Sequence, residues 1–312
     1  MKLFRDISNT ACRPSAAAIG FFDGVHRGHR YLIEQVRAVA AKRGLAASVV
    51  TFPVHPRKVM QPGCRLQLLT TCEEKVSLLA GTGIDQCLML DFTPEVSRLS
   101  ARQFMAHLKE RYRIEALVIG YDHRFGHNRS EDFADYVRYG EELDIEVLRA
   151  RAFSYYDANH EERTVSSSTV RRLLLEGDVT AAAECLGYDY FLNGTVVGGY
   201  QVGRKIGFPT ANLRPSDPDK VVPADGVYAV RVLLEEKEYG GMLSIGTRPT
   251  LDNGPDRSIE VHIFDFNADI YRLPMRVSFV QRTRAELKFD SVNALVSQLH
   301  RDEAEVKIIL AR

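Results

Sequence analysis

The spacing of apolar residues changes near residue 187, and this change limits the possible folds more than any other feature of the chain. Before it, short apolar runs alternate with segments in which apolar residues recur at helical spacing. After it, short β-rich runs are separated by clusters of glycine, proline, aspartate and asparagine. The chain has 312 residues, whereas a single core rarely grows beyond about 250–300 residues. We therefore predict two domains, residues 1–186 and residues 187–312.

Four apolar runs of the first region predict buried strands, and the segments between them predict amphipathic helices. The predicted strands are residues 16–22, 46–52, 87–92 and 116–120. The predicted helices are residues 29–42, 71–80, 101–112 and 130–143. Alternation of strand and helix implies a parallel sheet with helices on both faces, which is an α/β domain.

The second region predicts an all-β domain. Its strands are expected at residues 194–197, 227–234, 242–245, 259–266 and 275–280. Short strands separated by turn residues are typical of a small antiparallel β-barrel. Residues 291–310 have the spacing of an amphipathic helix, which we expect to close the barrel.

The composition excludes several classes of function. Lysine plus arginine equals aspartate plus glutamate at 41 each, whereas a long nucleic-acid interface normally leaves a basic excess. No apolar run approaches the roughly 20 residues that span a bilayer, and the first residues lack the apolar core of a signal peptide. The five cysteines form no CxxC pair, which favours reduced thiols over disulfides or structural zinc. We expect a cytoplasmic protein that binds neither nucleic acid nor membrane.

A phosphate-binding pattern, GFFDGVHRGH at residues 20–29, follows the first predicted strand. Ligands of parallel sheets bind at the carboxyl ends of strands, beside helix N-termini. Gly24 and Gly28 let backbone N–H groups approach a ligand, and a helix N-terminus favours an anion. His26 and His29 can donate hydrogen bonds to triphosphate oxygens and stabilise a departing pyrophosphate. An HxxH pair can instead bind metal or pack in a turn, but the glycines and the preceding strand favour phosphate.

A serine-rich segment, VSSSTVR at residues 165–171, predicts the start of another helix. Serine at such a place can simply cap the helix. Three serines followed by Arg171 can equally surround a phosphate. The segment by itself leaves both interpretations open.

A second and different pattern, GRKIGFPTAN, covers residues 203–212. Gly198 and Gly203 have the spacing of a Walker A loop, but Arg204 follows where that loop requires Lys-Ser/Thr, so the ordinary P-loop is excluded. Thr210 and Asn212 offer neutral oxygens that suit a magnesium ion with several waters and phosphate ligands. Two unlike phosphate-handling patterns indicate two reactions in one polypeptide.

The first region resembles nucleotidyltransferases that carry an HxGH motif and a later serine-rich loop. The nearer resemblance is to the adenylyltransferase half of bacterial bifunctional riboflavin kinase/FAD synthetases. That family has GxFDGxHxGH, GxDxRFG and ISSTxIR-like segments, matched here at residues 20–29, 120–126 and 165–171. His123 stands where the family usually has an aromatic or similar residue, and residues 127–130 lack the expected glycine.

The resemblance implies a Rossmann-like nucleotidyltransferase domain in which FMN phosphate attacks the α-phosphorus of ATP and pyrophosphate leaves. His26 and His29 would be catalytic. Contacts to ATP phosphates are implied for a larger set of residues: Gly20, Asp23, Gly24, His26, Gly28, His29, Ser167, Ser168 and Arg171. Asp122 and Arg124 would line the nucleotide or FMN pocket.

The second region resembles riboflavin kinases through its PTAN motif and through residues 223–228, 245–250 and 284–289. The resemblance makes Glu260 the general base that takes the proton of the ribityl 5′-hydroxyl, and Thr210 and Asn212 the Mg²⁺ ligands. Gly203, Arg204 and Gly207 would contact ATP, and Phe208 and Arg284 the flavin. Without this context, Glu260 is a solvent-facing strand residue, Phe208 is core, and Arg284 is a surface arginine.

The sequence thus predicts an enzyme with Mg²⁺ as cofactor and with ATP, riboflavin and FMN as its small-molecule substrates. Two alternatives are a monofunctional enzyme with one decayed site and a flavin-binding protein without activity. Intact Thr210, Asn212 and Glu260 argue against the second alternative.

Overall fold

A computed structural model describes residues 1–5, 12–61, 63–120, 123–127, 130–156, 160–199, 202–248 and 256–311. Contacts between Cα atoms divide the chain into two compact units, Met1–Ser167 and Ser168–Arg312. Each unit has its own sheet and its own apolar core.

The first unit is built on a six-stranded parallel sheet with the order β1-β4-β3-β2-β5-β6. Its strands are β1 (Lys2–Arg5), β2 (Ser15–Ile19), β3 (Ala46–Thr51), β4 (Gln86–Met89), β5 (Ile114–Ile119) and β6 (Glu146–Arg149). Its helices are α1 (Arg27–Arg43), α2 (Pro56–Met60), α3 (Cys72–Ala80), α4 (Pro94–Ser97), α5 (Ala101–Tyr112) and α6 (Phe133–Leu143). A separate hairpin consists of β7 (Ser154–Tyr156) and β8 (Glu162–Thr164).

Both faces of the parallel sheet are covered, as predicted. Alternate residues of β2 enter different cores: Ala17 lies in a cluster with residues of α5 and α6, and Ala18 in a cluster with residues of α1 and α3. All five residues of β2 are buried, which explains why its last four residues are apolar. The α/β fold class is therefore confirmed.

The second unit is a closed antiparallel barrel with the strand order β10-β13-β12-β11-β14-β9. Its strands are β9 (Phe191–Val197), β10 (Ala211–Pro215), β11 (Gly226–Leu234), β12 (Lys237–Arg248), β13 (Asp256–Ile263) and β14 (Pro274–Arg284). Its helices are α7 (Ser167–Glu176), whose first residue is counted with the first unit, α8 (Val179–Leu186), α9 (Val202–Lys205) and α10 (Val292–Leu310). Helix α10 packs on the barrel through Val306 and neighbouring apolar residues, so the barrel and its closing helix are confirmed.

Helices α7 and α8 pack with the barrel. The backbone N–H of Ala224 donates to the carbonyl oxygen of Leu174 at 3.0 Å. The hydroxyl of Thr180 donates to the carbonyl oxygen of Val280 at 3.4 Å. In agreement with these contacts, the second compact unit begins at Ser168, in the first turn of α7. The change in sequence pattern lies later, after α8.

In the part of the chain that the structure describes, no helix is both long enough and apolar enough to cross a membrane.

Candidate active sites

The phosphate pattern of the first unit forms a strained turn between β2 and α1. Phe22 and Gly24 adopt left-handed backbone angles, with φ of 55° and 79°. Val25 also has a positive φ, 38°, which is rare for a β-branched residue. Such conformations persist where the surrounding structure holds them, and they cluster at functional sites.

The carboxylate of Asp23 holds this turn in place. It is 3% exposed and accepts hydrogen bonds from the backbone N–H groups of Leu69 and Thr70 at 2.9 and 3.0 Å. The Thr70 hydroxyl lies 3.2 Å from the same carboxylate and 3.1 Å from the backbone nitrogen of Gly24. These hydrogen bonds anchor the turn. Contact of Asp23 with phosphate stays a prediction.

The two histidines lie together at the N-terminus of α1. Their rings stack with centroids 3.6 Å apart, and His26 Nδ1 accepts the backbone N–H of His29 at 3.3 Å. Because Nδ1 of His26 is an acceptor, the neutral ring carries its proton on Nε2. A methyl group added at Gly28 would lie 3.2 Å from the His26 ring, so glycine leaves that ring its space.

His29 is kept neutral. Burial lowers the pKa of His29 well below its usual range. Electrostatic interactions with His26, His123 and Lys75 lower the pKa of His29 further. The buried Nδ1 of His29 has no hydrogen-bond partner among the described residues. Buried polar atoms are normally satisfied, so an unsatisfied nitrogen is an unusual feature of this turn.

The serine-rich segment reaches the same turn. The Ser167 hydroxyl donates to the carbonyl oxygen of Asp23 at 3.0 Å, which brings residues 144 positions apart into contact. Ser168 and Arg171 follow in α7 and are counted with the second unit. Arg30, which the sequence analysis missed, donates from Nε to the carbonyl oxygen of Val25 at 3.1 Å.

A cavity of about 680 Å³ opens beside the turn. Gly20 and Arg124 line it together with aromatic residues, including Phe21 and Phe52. Its size and its mixture of aromatic and cationic side chains suit a small organic ligand with an anionic group. A smaller cavity of about 300 Å³ shares Arg124 with it. Asp122 lies outside the described residues.

In the second unit, pairing of two strands brings the PTAN residues to Glu260. Asn212 of β10 is the register partner of Glu260 of β13. The Thr210 hydroxyl donates to a carboxylate oxygen of Glu260 at 3.2 Å. Ile259 and Val261 are buried, so Glu260 points to the opposite face of its strand.

These three side chains form an oxygen-rich donor set. A hydroxyl, an amide oxygen and a carboxylate are ligands that Mg²⁺ accepts when water and phosphate supply the rest. No group of three or more histidine, cysteine, aspartate or glutamate residues suited to a metal occurs among the described residues.

Glycines preceding the PTAN motif lie where a larger residue would clash or would strain the backbone. A methyl group at Gly199 would lie 2.2 Å from the amide nitrogen of Asn212. One at Gly203 would lie 2.2 Å from the carbonyl oxygen of Phe208, and Gly207 has a φ of +88°. These positions require glycine for steric and conformational reasons.

A cavity of about 550 Å³ adjoins this site. Arg204 and Thr210 line it, as do residues 266–271 from the segment between β13 and β14. The sequence analysis missed residues 266–271, because Asn, Ala and Asp between two strands read as an ordinary turn.

Two predicted flavin contacts have visible structural roles. Phe208 is 4% exposed and lies in the core between the barrel and α10. Arg284 forms a two-pronged ion pair with Asp302 of α10, at 3.0 Å from Nε and 2.7 Å from Nη2. Asp302 is 1% exposed and also accepts from Gln298. Contact of Phe208 and Arg284 with flavin stays a prediction.

The two folds and their sites define a two-domain nucleotide-dependent transferase. The family model for FAD synthetase matches residues 8–169, and the model for riboflavin kinase matches residues 186–310. The chain belongs to the family of bifunctional riboflavin kinase/FMN adenylyltransferases, which confirms the resemblance and the two-reaction prediction.

Similar proteins cover nearly the whole chain. The bifunctional riboflavin kinase/FMN adenylyltransferase of Escherichia coli K12 is 35% identical, over 97% of this chain and 96% of its own. That of Listeria monocytogenes is 35% identical, over 95% and 92%. A crystal structure described as a macrolide-efflux protein from Streptococcus pneumoniae has a TM-score of 0.85 and 33% identity, covering 97% of this chain and 96% of that one.

Proposed function

We propose that the barrel domain phosphorylates riboflavin to FMN with ATP, and that the α/β domain transfers AMP from a second ATP to FMN. The products of the second reaction are FAD and pyrophosphate. We assign the two activities to residues 187–312 and 1–186. The matched family models and the bifunctional relatives support this division of labour.

In the kinase reaction, Glu260 is the general base. Its carboxylate already accepts a hydrogen bond from the Thr210 hydroxyl at 3.2 Å, and this single contact carries the proposal. The same carboxylate would accept the proton of the ribityl 5′-hydroxyl as the hydroxyl oxygen attacks the γ-phosphorus of ATP. The bond from that phosphorus to ADP breaks, and ADP leaves. Thr210 and Asn212 would hold Mg²⁺, which when bound neutralises charge on the phosphates. Gly203, Arg204 and Gly207 contact the nucleotide in this proposal.

In the adenylyl transfer, an oxygen of the FMN phosphate attacks the α-phosphorus of ATP and the bond to pyrophosphate breaks. No protein nucleophile is needed. The N-terminus of α1 and the N–H groups of His26 and His29 stabilise the negative charge of the leaving pyrophosphate. Ser167, Ser168 and Arg171 contribute further donors, and alignment of the two substrates supplies much of the remaining rate enhancement.

The whole proposal is tested by incubating the purified protein with riboflavin, ATP and Mg²⁺ and resolving FMN from FAD. We expect both products, and we expect a chelator to stop both reactions. Formation of FMN without FAD, even with FMN supplied in excess, refutes the bifunctional assignment. A cytoplasmic location stays a prediction.

Division of the activities at residue 187 is tested with two fragments, 187–312 and 168–312. We expect kinase activity from both, with higher stability for the longer one because it keeps α7 and α8 on the barrel. A folded fragment 187–312 without kinase activity contradicts the proposed boundary.

A further inference from the structure

Lys75 is a buried ammonium beneath the strained turn of the first unit. It lies on α3 and is 1% exposed. Its Nζ donates to the carbonyl oxygen of Phe52 at 2.7 Å and lies 3.9 Å from the centre of the Phe21 ring. Lysine is almost never fully buried unless it is paired, because removing an ammonium from water is costly.

Both neighbours of this ammonium are walls of the 680 Å³ cavity. Phe21 follows Gly20 in the phosphate pattern, and Phe52 follows β3. The Lys75 ammonium therefore contacts both aromatic residues of the cavity wall: the ring face of Phe21 and the backbone carbonyl oxygen of Phe52. A cation over an aromatic ring is a stronger contact when water is excluded, as it is here.

Several ionisable groups face Lys75. Cys72 comes from its own helix, Cys87 from β4 and Asp23 from the turn, while His29 of α1 feels the ammonium charge. Burial raises the pKa of Cys87 to about 11, so that thiol is neutral near pH 8. Asp23 is thus the carboxylate that faces the ammonium.

We propose that Lys75 is a positioning residue of the adenylyl-transfer site. Its protonated ammonium holds Phe21 and Phe52 in place and puts a fixed positive charge behind the phosphate-binding turn. This inference rests on the proposed adenylyl-transfer function of the first unit. It gives Lys75 no contact with substrate.

The proposal has a pH signature. Burial lowers the pKa of Lys75 to about 8, against the opposing effects of Cys72, Asp23 and Cys87. The charged form predominates below that pH and is lost above it. Adenylyl transfer should therefore fall as the pH rises through about 8, because the neutral amine cannot make the cation–π contact.

The test uses the full chain with Lys75→Met, Lys75→Arg and the control Lys109→Met. Lys109 pairs with Glu115 in the same unit, at 3.1 Å, and lies outside the lining of the cavity. FAD formation from FMN and riboflavin phosphorylation are both measured between pH 6.5 and 9.5. Riboflavin phosphorylation reports whether each preparation is otherwise competent.

We expect Lys75→Met to raise the KM for FMN about tenfold, with a smaller change in kcat, and to remove the decline above pH 8. Lys75→Arg should keep activity and move the decline to higher pH, because arginine stays charged. Lys109→Met should keep the wild-type pH profile. At pH 7, Lys75→Met should lose adenylyl-transfer activity without a comparable loss of folding stability. The reason is that burying the ammonium of Lys75 is itself costly.

An unchanged decline near pH 8 in Lys75→Arg overturns the proposal, even if Lys75→Met does not fold. A wild-type KM in folded Lys75→Met also overturns it. If the wild type makes no FAD, the assigned function fails by itself. In that case, FMN binding to wild type and to Lys75→Met is measured by calorimetry, with riboflavin and ADP present to fill the barrel site. Equal FMN affinities contradict the positioning role of Lys75.

Discussion

The two phosphate-handling regions are held by different physical means. In the α/β unit, the turn around Asp23 is fixed by a buried carboxylate that accepts hydrogen bonds of 2.9–3.2 Å. In the barrel unit, the PTAN side chains are placed by strand pairing and by space that glycines leave open. The geometry of the first site depends on the hydrogen bonds of the Asp23 carboxylate. The geometry of the second site depends on glycine positions that have no side chain. Deletions should therefore damage the first site, and added atoms the second.

The largest expected effect separates the two reactions. Glu260→Gln keeps the shape and hydrogen-bonding capacity of the side chain but removes the base. Riboflavin phosphorylation should fall by about 10²- to 10⁴-fold, while adenylylation of supplied FMN stays near wild type. Both rates are measured on one preparation with an unchanged thermal melt. Loss of both activities would mean that the two patterns belong to one site.

The converse variant is His29→Ala. It removes a half-buried imidazole whose Nδ1 has no partner among the described residues. FAD synthesis should fall by about 10²- to 10³-fold, as for loss of one transition-state donor, and FMN should accumulate. Product ratios from riboflavin, ATP and Mg²⁺ give the result directly. Normal FAD formation would assign His29 to packing.

Asp23→Ala tests the hydrogen-bonded turn. It leaves the backbone N–H groups of Leu69 and Thr70 buried without their acceptor, which should lower the stability of the first unit by about 3 kcal/mol. The control is Asp85→Ala, because Asp85 accepts the Ala47 N–H at 2.8 Å from a half-exposed position. Denaturant unfolding measures the stability of both variants. Equal losses of stability would show that the Asp23 carboxylate has no special role in holding the turn.

Gly199→Ala tests the glycine-lined site by adding one methyl group. That group would lie 2.2 Å from the Asn212 amide and must displace it. Kinase activity should fall about tenfold, equivalent to about 1.4 kcal/mol. Gly198→Ala is the matched control, since its methyl group meets no atom within 4 Å. Similar kinase rates in the two variants would show that the position of Asn212 does not limit the reaction.

Apolar periodicity predicted the elements that contribute most to the cores. The predicted strands 46–52 and 116–120 correspond to β3 and β5, and the helix 101–112 to α5. The edge strands β1 and β6 were missed because they are short and have no buried apolar run. Strand β10 was missed because the asparagine and the proline in its sequence favour turns. Pairing with β9 and β13 makes it a strand.

The sequence by itself determined the two-domain organisation, the family and the identity of the motif residues, because periodicity and motif spacing are local properties of the chain. Only the tertiary structure decided which distant residues complete each site. Glu260 accepts a hydrogen bond from Thr210, which lies 50 positions away in the sequence. Asp23 accepts one from Leu69, which lies 46 positions away. Lys75 lies under Phe21 in the same way. Such contacts depend on strand register and on the burial of polar groups, which no local pattern encodes.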